Sequence, residues 1–379
     1  MNLDDIRVQI DDIDGQLIDL FTRRMNAVRD VARYKAEHGL PVLDRSRERA
    51  VLMKVSEQAG PELRQYAKIL YGALFDVSRS YQRGALGVSS PLTDQIRRAL
   101  DHTPAAFPAR ATVACQGAEG AYSQQACDRL FQFSNLLYFN SFDAVFSAVE
   151  RGMCQYGILP IENSLAGTVT PVYDLMESHR FHIARCVRQR VDHALLGLPG
   201  SRMGEIREVR SHPQAISQCG DFLQSRPGVV VVECENTAVA AQAVAQSGRN
   251  DVAAIASRSC AELYGLTVLS DSVANNPNNV TRFICISKEL EIYPGANKVS
   301  LRMSLQHRPG SLYEMLSRLA VMGLNLTKLE SRPIPGKDFE FRFHFDLEAS
   351  VAEPEVLGLM GDLASSVDSF TFLGNYAEV

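Results

Sequence analysis

Residues 3–38 read LDDIRVQIDDIDGQLIDLFTRRMNAVRDVARYKAEH, and this stretch decides the fold of the N-terminal part of the chain. A helix of this length measures about 50 Å at its rise per residue. Two shorter helices are too small to bury its whole apolar face, so the sequence predicts dimerisation through that face. The apolar residues recur at helical steps of three and four, at Ile6, Ile10, Ile13, Leu17, Leu20, Val28 and Val31.

Breaker residues separate this first helix from two further helices. Pro41, Pro61 and nearby glycines delimit predicted helices over 45–59 and 62–84, and Asp44 has the position of an N-cap. Residues 1–88 therefore form an all-α domain.

Two cations interrupt the apolar stripe of the first helix. Arg24 and Lys35 stand where the stripe predicts apolar residues, and their spacing of 11 positions puts them about 20° apart on the helix. Charges on a buried face are costly unless they are paired or bind an anion. The alternative is two side chains that snorkel at the edge of the stripe. Arg7 points roughly 100° away, towards a second site or the site of a dimer partner.

The second and third helices add polar groups to this set. They carry no nucleophile backed by a base, no metal cluster and no redox centre. Such a set binds a dianion and stabilises developing charge, which suits a unimolecular rearrangement better than a hydrolysis. The additional residues are Asp44, Arg47, Glu48, Ser78 and Gln82.

The eight positions together resemble the all-helical chorismate mutases, whose fold is an intertwined dimer. The resemblance implies that Arg7, Arg24 and Arg47 hold the two carboxylates of chorismate, with Arg7 crossing into the other subunit's site. It also implies that Lys35 and Gln82 face the ether oxygen. Glu48 would bind the ring hydroxyl, with Asp44 and Ser78 as supporting contacts.

Residues 110–288 alternate short apolar strands with helical patterns, which favours an α/β domain of two lobes with a mainly parallel sheet. Residues 89–109, rich in Ser, Pro, Thr and Ala, are interpreted as a linker with one short amphipathic piece, Ile96–Leu100. The predicted strands are Thr112–Ala114, Tyr156–Pro160, Val229–Cys234, Val252–Ala256 and Phe283–Ile286.

Four polar motifs stand at strand ends, where ligands of α/β folds bind. Each alone has an ordinary interpretation as a turn or a cap. The motifs are Gly117–Ser123, Pro160–Ser164 with Gly167–Val169, Ser211–Gln214 and Thr281–Phe283.

Together these motifs resemble prephenate dehydratase, whose fold is two α/β lobes like those of periplasmic binding proteins. The resemblance implies that Thr281 contacts the leaving hydroxyl of the substrate and donates a proton to it. Because a neutral threonine is a poor acid, a separate hypothesis is that Glu162 assists this proton transfer. The resemblance assigns substrate binding to the remaining polar residues, among which Arg282 would fix the loop or a carboxylate. These residues are Asn163, Ser164, Thr168, Ser211, Gln214 and Arg282.

Residues 297–379 read strand, helix, strand, strand, helix, strand, with a hairpin turn at Pro335–Lys337 and a strand from Phe339, which predicts a ferredoxin-like α+β fold. Two strings are Pro309–Leu312, between the first strand and helix, and Glu330–Pro333, at the end of the second strand. They resemble the phenylalanine-binding motifs of an ACT domain, a module that pairs across subunits. Many relatives have Gly-Ala-Leu-Val at the first string, whereas this chain has Gly310-Ser311-Leu312-Tyr313. The resemblance therefore leaves open how strongly phenylalanine inhibits the enzyme. The alternative is a domain used only for oligomerisation. The implied effector residues are Gly310, Ser311, Leu312, Glu330, Ser331 and Arg332.

The net charge, the apolar runs and the cysteines disfavour several other classes of protein. A net charge of −5 argues against a nucleic-acid binder, and no apolar run approaches the length of a membrane span. The eight cysteines form no Cys-x-x-Cys pair and are interpreted as reduced core residues of a cytoplasmic protein.

The prediction is therefore a bifunctional enzyme with chorismate and prephenate as substrates, phenylalanine as effector and no cofactor or metal. We expect a homodimer or higher oligomer. A non-catalytic solute-binding module with an amino-acid sensor remains the alternative, as does a chain with one live and one degenerate site. A dehydrogenase is disfavoured because the dinucleotide fingerprint is missing.

Overall fold

The computed structural model describes residues 2–40, 44–86, 90–334, 336–337 and 340–379. The predicted break at Pro41, the turn residue Pro335 and the strand start at Phe339 lie outside these residues. The chain forms two compact units, the first of residues 1–95 and 352–366 and the second of residues 96–351 and 367–379.

The first unit is helical, as predicted. Its N-terminal helices are α1 (Leu3–Glu37), α2 (Arg45–Gln58) and α3 (Gly60–Leu86). Asn2 caps α1 by accepting a hydrogen bond from the Asp5 amide at 2.8 Å, and Asp44 caps α2 by accepting one from the Arg47 amide at 3.0 Å. The predicted N-cap at Asp44 is therefore confirmed.

The apolar stripe of α1 is exposed in the single chain. Ile10, Leu17 and Leu20 are 50%, 53% and 57% exposed, whereas the buried residues of α1 are Met25 and Ala32. Most of the face that the sequence treats as buried is therefore exposed in one chain, although Val28 of that face is half-buried.

The predicted linker contains a regular helix, α4 (Pro91–His102). Ser90 and Thr93 exchange hydrogen bonds at its start, since each amide donates to the other's hydroxyl at 2.8 and 3.1 Å. This reciprocal cap fixes a helix longer than the predicted piece Ile96–Leu100.

The second unit contains two sheets that correspond to two lobes. The elements between α4 and Ser287 are β1 (Arg110–Gln116), α5 (Tyr122–Leu130), β2 (Phe133–Phe139), α6 (Phe142–Glu150), β3 (Tyr156–Asn163), β4 (Gly167–Thr168), α7 (Thr170–Leu175), β5 (His182–Arg190), β6 (His193–Gly197), β7 (Glu208–Ser211), α8 (Pro213–Gln218), α9 (Gly220–Gln224), β8 (Val230–Glu233), α10 (Thr237–Ser247), β9 (Val252–Ser257), α11 (Ser259–Tyr264), β10 (Thr267–Ser270) and β11 (Val280–Ser287).

The sheets are mixed, so the expectation of mainly parallel strands is wrong. Strand β1 pairs in parallel with β2 and β3, but β11 runs antiparallel between β3 and β5. The second lobe has the order β10-β6-β9-β7-β8, and there β6 is antiparallel to both of its neighbours. The chain returns through β11 to the first lobe, which places an antiparallel strand in its centre.

The C-terminal elements follow the predicted order. They are β12 (Lys298–Ser304), α12 (Ser311–Val321), β13 (Asn325–Pro333), β14 (Phe341–Glu348), α13 (Pro354–Ser366) and β15 (Ser369–Glu378). Their strands have the order β13-β14-β12-β15, as in a ferredoxin-like fold, while α13 belongs to the first unit and contacts α3.

The C-terminal strands do not form a separate sheet. Ala377 and Glu378 of β15 pair in parallel with Arg185 and Cys186 of β5, which joins both sets into one ten-stranded sheet. The two domains predicted as 110–288 and 297–379 therefore share a continuous sheet.

Side-chain alternation gives the C-terminal strands one apolar and one polar face. On β12, Leu301 and Met303 are buried on one side, and Arg302 lies on the other. We call the second side the polar face, defined by Ser300, Arg302, Lys328, Glu330, Arg332, Arg342, His344 and Asp346.

Candidate active sites

In the helical unit, α1 and α3 bring two predicted site residues together. The Arg24 guanidinium donates to the Ser78 hydroxyl and, at 3.5 Å, to the Leu74 carbonyl oxygen. Ser78 is buried, and Arg24 is half-buried. Residues of α3 thus hold the guanidinium of Arg24.

Glu48 of α2 is held by a residue that the sequence interpretation missed. Arg79 of α3 forms ion pairs with Glu48 and with Asp76. Arg79 follows Ser78 directly, so the only signal in the sequence was one more cation beside a predicted site residue.

The other predicted residues of this unit occupy different settings. The Asp44 carboxylate accepts from the Ser46 hydroxyl and the Arg47 amide, which together with the Lys35 charge lowers its pKa. Arg7 is exposed and pairs with Asp4 at 3.3 Å. Gln82 is buried, and its Oε1 has no hydrogen-bond partner among the described residues.

The second unit contains a cleft of 580 Å³. Its walls come from the ends of strands and the starts of helices, where the four polar motifs lie. Four predicted residues line it, namely Asn163, Thr168, Gln214 and Thr281. Other lining residues are Gln116, Tyr122, Ser123, Val169, Thr170, Pro171, His193, His212, Gln218, Glu235, Asn236 and Phe283.

Asn163 fixes the hydrogen-bond direction at Thr281. Its Oδ1 accepts from the Leu165 and Ala166 amides at 3.1 and 2.9 Å, so Nδ2 is the donor. Nδ2 donates to the Thr281 hydroxyl oxygen at 2.9 Å. The Thr281 proton is therefore left for a group in the cleft.

The same logic extends to residues that the sequence interpretation missed. Asn163 donates to Asn279 Oδ1 at 2.6 Å, and Asn279 donates to Gln218 Oε1 at 3.0 Å. Since Gln218 Oε1 is an acceptor, His193 donates to it through Nε2, also at 3.0 Å. Burial lowers the pKa of His193, which keeps this ring neutral, and its Nδ1 lies 3.3 Å from the Tyr122 hydroxyl.

Three predicted substrate contacts lie elsewhere, and their placement corrects the interpretation. Ser211 is fully buried and donates to the Ile255 carbonyl oxygen at 2.6 Å. The Ser164 hydroxyl accepts from the Val280 amide and donates to the Asn278 carbonyl, both at 3.0 Å. Arg282 lies opposite Glu162 on the face of β11 that Thr281 does not share.

Arg282 is held by protein carboxylates. Its guanidinium pairs with Glu162 at 3.1 Å, with Asp346 at 2.9 Å and with Glu378 at 3.3 Å. Glu162 also pairs with Lys328 at 3.0 Å. Glu162 is therefore held as an ion-paired carboxylate on the face away from Thr281, and the hypothesis that it supplies acidity to Thr281 fails.

The described side chains of the two predicted effector strings have separate surroundings. Gly310 has φ +88° at the start of α12, and the buried Ser311 hydroxyl has no partner among the described residues. Glu330 accepts from the Thr168 hydroxyl at 2.9 Å, and Arg332 pairs with Asp174 at 2.7 Å. Ser331 is exposed, as strand alternation requires, and Leu312 is half-buried.

No helix of the described residues is long and apolar enough to cross a membrane. All eight cysteines are free, and seven of them are buried, as predicted.

Two family models match the chain. The model described as prephenate dehydratase matches residues 113–291, and the one described as chorismate mutase type II matches residues 6–83. The two matches occupy the cleft-bearing unit and the helical unit.

Curated and solved relatives match over long stretches. Arogenate dehydratase/prephenate dehydratase 1 of Arabidopsis thaliana is 35% identical over 316 residues, 79% of each chain. A structure titled as GqqA, a novel type of quorum quenching acylase, is 32% identical, has a TM-score of 0.64 and covers 71% of this chain and 98% of its own. A prephenate dehydratase from Arthrobacter aurescens in complex with L-Phe is 27% identical, also with a TM-score of 0.64, and the match covers 70% of this chain and 89% of that chain.

Proposed function

Because the chain belongs to the prephenate dehydratase family and carries a chorismate mutase type II domain before it, we propose that this bifunctional enzyme converts chorismate to prephenate and prephenate to phenylpyruvate. The observation that carries the proposal is the Thr281 hydroxyl, whose proton is directed away from Asn163 in a cleft of 580 Å³.

The first step needs only binding and charge stabilisation. In the Claisen rearrangement the ether C–O bond breaks while a C–C bond forms, so negative charge develops on the ether oxygen. The Arg24 guanidinium, held by Ser78, suits a carboxylate of the substrate. The buried Gln82 Oε1 has no partner among the described residues and can accept a hydrogen bond from a ligand.

The second step needs a proton at the leaving hydroxyl. The carboxylate C–C bond of prephenate breaks, its electrons aromatise the ring, and the ring C–O bond breaks with release of carbon dioxide and water. Thr281 is the proton donor in this proposal, and the Gln218 amide nitrogen is a donor for the substrate. The neutral His193 positions Gln218 through Nε2.

We further propose that the C-terminal strands and α12 form an ACT-type sensor of phenylalanine. Support comes from the ferredoxin-like strand order, from Gly310 at the start of α12 and from the L-Phe complex of the Arthrobacter aurescens relative. A homodimer through α1 and a cytoplasmic setting for the eight free cysteines belong to the same proposal.

One relative, GqqA, is described as an acylase, which suggests a second candidate function, the cleavage of an acyl bond. Such a reaction needs a nucleophile within reach of a base. His193 contacts Tyr122 and Gln218, and the Ser123 hydroxyl donates to the Gln116 carbonyl oxygen at 2.7 Å. The described cleft thus favours dehydration over acyl transfer.

Product analysis of the purified protein tests the proposal. Chorismate alone is expected to yield phenylpyruvate, and added phenylalanine is expected to reduce that yield. Prephenate and arogenate, supplied separately, identify the preferred dehydratase substrate. Accumulation of prephenate without phenylpyruvate would contradict the dehydratase assignment, and unchanged chorismate would contradict the mutase assignment.

A further inference from the structure

One wall of the cleft is a short segment with little support of its own. It consists of the two-residue strand β4 and the six-residue helix α7, and residues 166–171 of this region line the cleft. Glu162 and Asn163 of β3 pair with this strand, and the Val169 amide donates to the Ile161 carbonyl oxygen at 2.9 Å. Elements this short depend on tertiary contacts for a fixed position.

Those tertiary contacts are of two kinds. Val172 and Tyr173 of α7 are buried in the apolar core of the lobe, and the polar face of the C-terminal strands contacts polar side chains of the segment. The Thr168 hydroxyl donates to Glu330 at 2.9 Å and accepts from the Lys328 ammonium at 3.1 Å. Further along the segment, Asp174 pairs with Arg332 and Glu177 pairs with Arg342, both at 2.7 Å. Residues of β13 and β14 thus hold the wall at several points.

Lys328 is the most constrained of these residues. Its side chain is 8% exposed, and its ammonium lies 3.0 Å from Glu162 and 5.2 Å from the centre of the Tyr173 ring. A buried ammonium requires such partners because its desolvation is costly. Alternation along β13 places Lys328 and Glu330 on the same face, so one strand supplies both partners of Thr168.

We propose that Lys328 and Glu330 are positioning residues of the dehydratase, which hold the Thr168 hydroxyl and with it the cleft wall. This inference rests on the proposed dehydratase function of the cleft. Thr168 then supports the wall instead of binding the substrate through its hydroxyl. The substrate site is complete only when β13 is docked against this segment.

Steady-state kinetics with prephenate test the proposal. Lys328→Met and Glu330→Gln are expected to raise the KM about tenfold, while the kcat changes less than about twofold, because the wall affects binding more than proton transfer. Lys298→Met is the matched control: it removes a lysine–glutamate pair at 2.8 Å on β12 of the same sheet, and Lys298 pairs with Glu348, which is not part of the wall. Its KM is expected to stay unchanged.

A double-mutant cycle identifies Thr168 as the target. Thr168→Val keeps the side-chain shape but loses both hydrogen bonds, so combining it with Glu330→Gln should raise the KM no further than either change alone. Additive effects, or an unchanged KM in both single variants, would overturn the proposal. If Lys328→Met does not fold, the KM values of Thr168→Val, Glu330→Gln and their double variant still test the proposal.

The failure of this inference is distinguishable from failure of the proposed function. A wild-type protein that leaves prephenate unchanged removes the dehydratase function, and the positioning role with it. An active wild-type protein whose variants match it in KM removes only the positioning role. Mutase turnover of chorismate, measured in every preparation, normalises the amount of active protein.

Discussion

Thr281 shows how a neighbouring side chain can set the role of a single hydroxyl. Because Asn163 Nδ2 donates to its oxygen at 2.9 Å, the hydroxyl proton is free for the substrate. Thr281→Val is expected to lower the dehydratase kcat by about 10²–10⁴, the usual contribution of a positioned acid. Thr281→Ser, which keeps the hydroxyl, should retain most of the activity. Phenylpyruvate formation from prephenate measures both, and equal losses in the two variants would contradict the assignment.

His344 is a residue with a predictable effect on stability. It is 3% exposed, both ring nitrogens lack partners among the described residues, and its edge-to-face neighbour is Tyr173. Burial, followed by the charges of the surrounding cations, lowers its pKa from 6.5 to about 3. The ring therefore stays neutral in the folded chain down to low pH. The surrounding cations are Arg302, Arg342, Arg332 and Lys328.

The sign of the pH dependence follows from proton binding. Below pH 6.5 the unfolded chain binds a proton at this histidine and the folded chain does not, so stability is full above 6.5 and falls as the pH drops towards about 3. The slope is at most about 1.4 kcal/mol per pH unit. His344→Phe should reduce the acid-induced loss, as measured by urea unfolding between about pH 7 and 4.5. Parallel curves for the two proteins would contradict this prediction.

At the scale of elements, the periodicity of the apolar residues was enough to predict many of the helices and strands. The steps of three and four predicted α1, and the apolar runs predicted β1, β3, β9 and β11. The same reasoning explains one error: Thr281 and Arg282 are neighbours in a strand, so only one of them faces the cleft. His193 and Gln218 were missed because His193 meets Tyr122 across 71 positions of the sequence and Gln218 across 25, which no local pattern reveals.

The junction between the two strand sets depends on one glycine. A Cβ at Gly374 of β15 would lie 2.3 Å from the Ile183 carbonyl oxygen of β5, which is backbone and cannot rotate away. Gly374→Ala is expected to destabilise the second unit by about 1–3 kcal/mol or more. Gly204→Ala, with no atom within 4 Å of its Cβ, is the control in the same unit. Chemical unfolding that shows equal stability of the two variants would contradict the prediction.

At the scale of the whole molecule, the two units differ in whether a single chain supplies all of their candidate site residues. The dehydratase cleft gathers its donors from one chain, with its wall held by the C-terminal strands. The helical unit brings Arg24 to Ser78 but leaves Arg7 exposed beside Asp4. A mutase site that uses Arg7 therefore needs a second copy of the chain.

A substitution in the exposed stripe of α1 tests whether the mutase site needs a second copy of the chain. Leu17 and Leu20 are 53% and 57% exposed, and apolar surface of this extent on a helix indicates an interface. Leu17→Glu should separate the subunits at α1, so that the oligomer becomes smaller, and lower mutase turnover at least about tenfold, since burying a carboxylate against apolar groups is costly. Asn26→Glu is the matched control, because position 26 lies nine residues on, about 180° around the helix.

Sedimentation velocity and chorismate turnover, measured on the same samples, decide the matter. The wild type and Asn26→Glu are expected to sediment as a dimer or higher oligomer with full mutase activity. Leu17→Glu is expected to sediment as a smaller species than the wild type and still to consume prephenate at the intact cleft, because the described residues that line the cleft all belong to one chain. A monomeric wild type with full mutase activity would show that Arg7 acts within its own subunit or not at all, and the stripe of α1 would need another explanation.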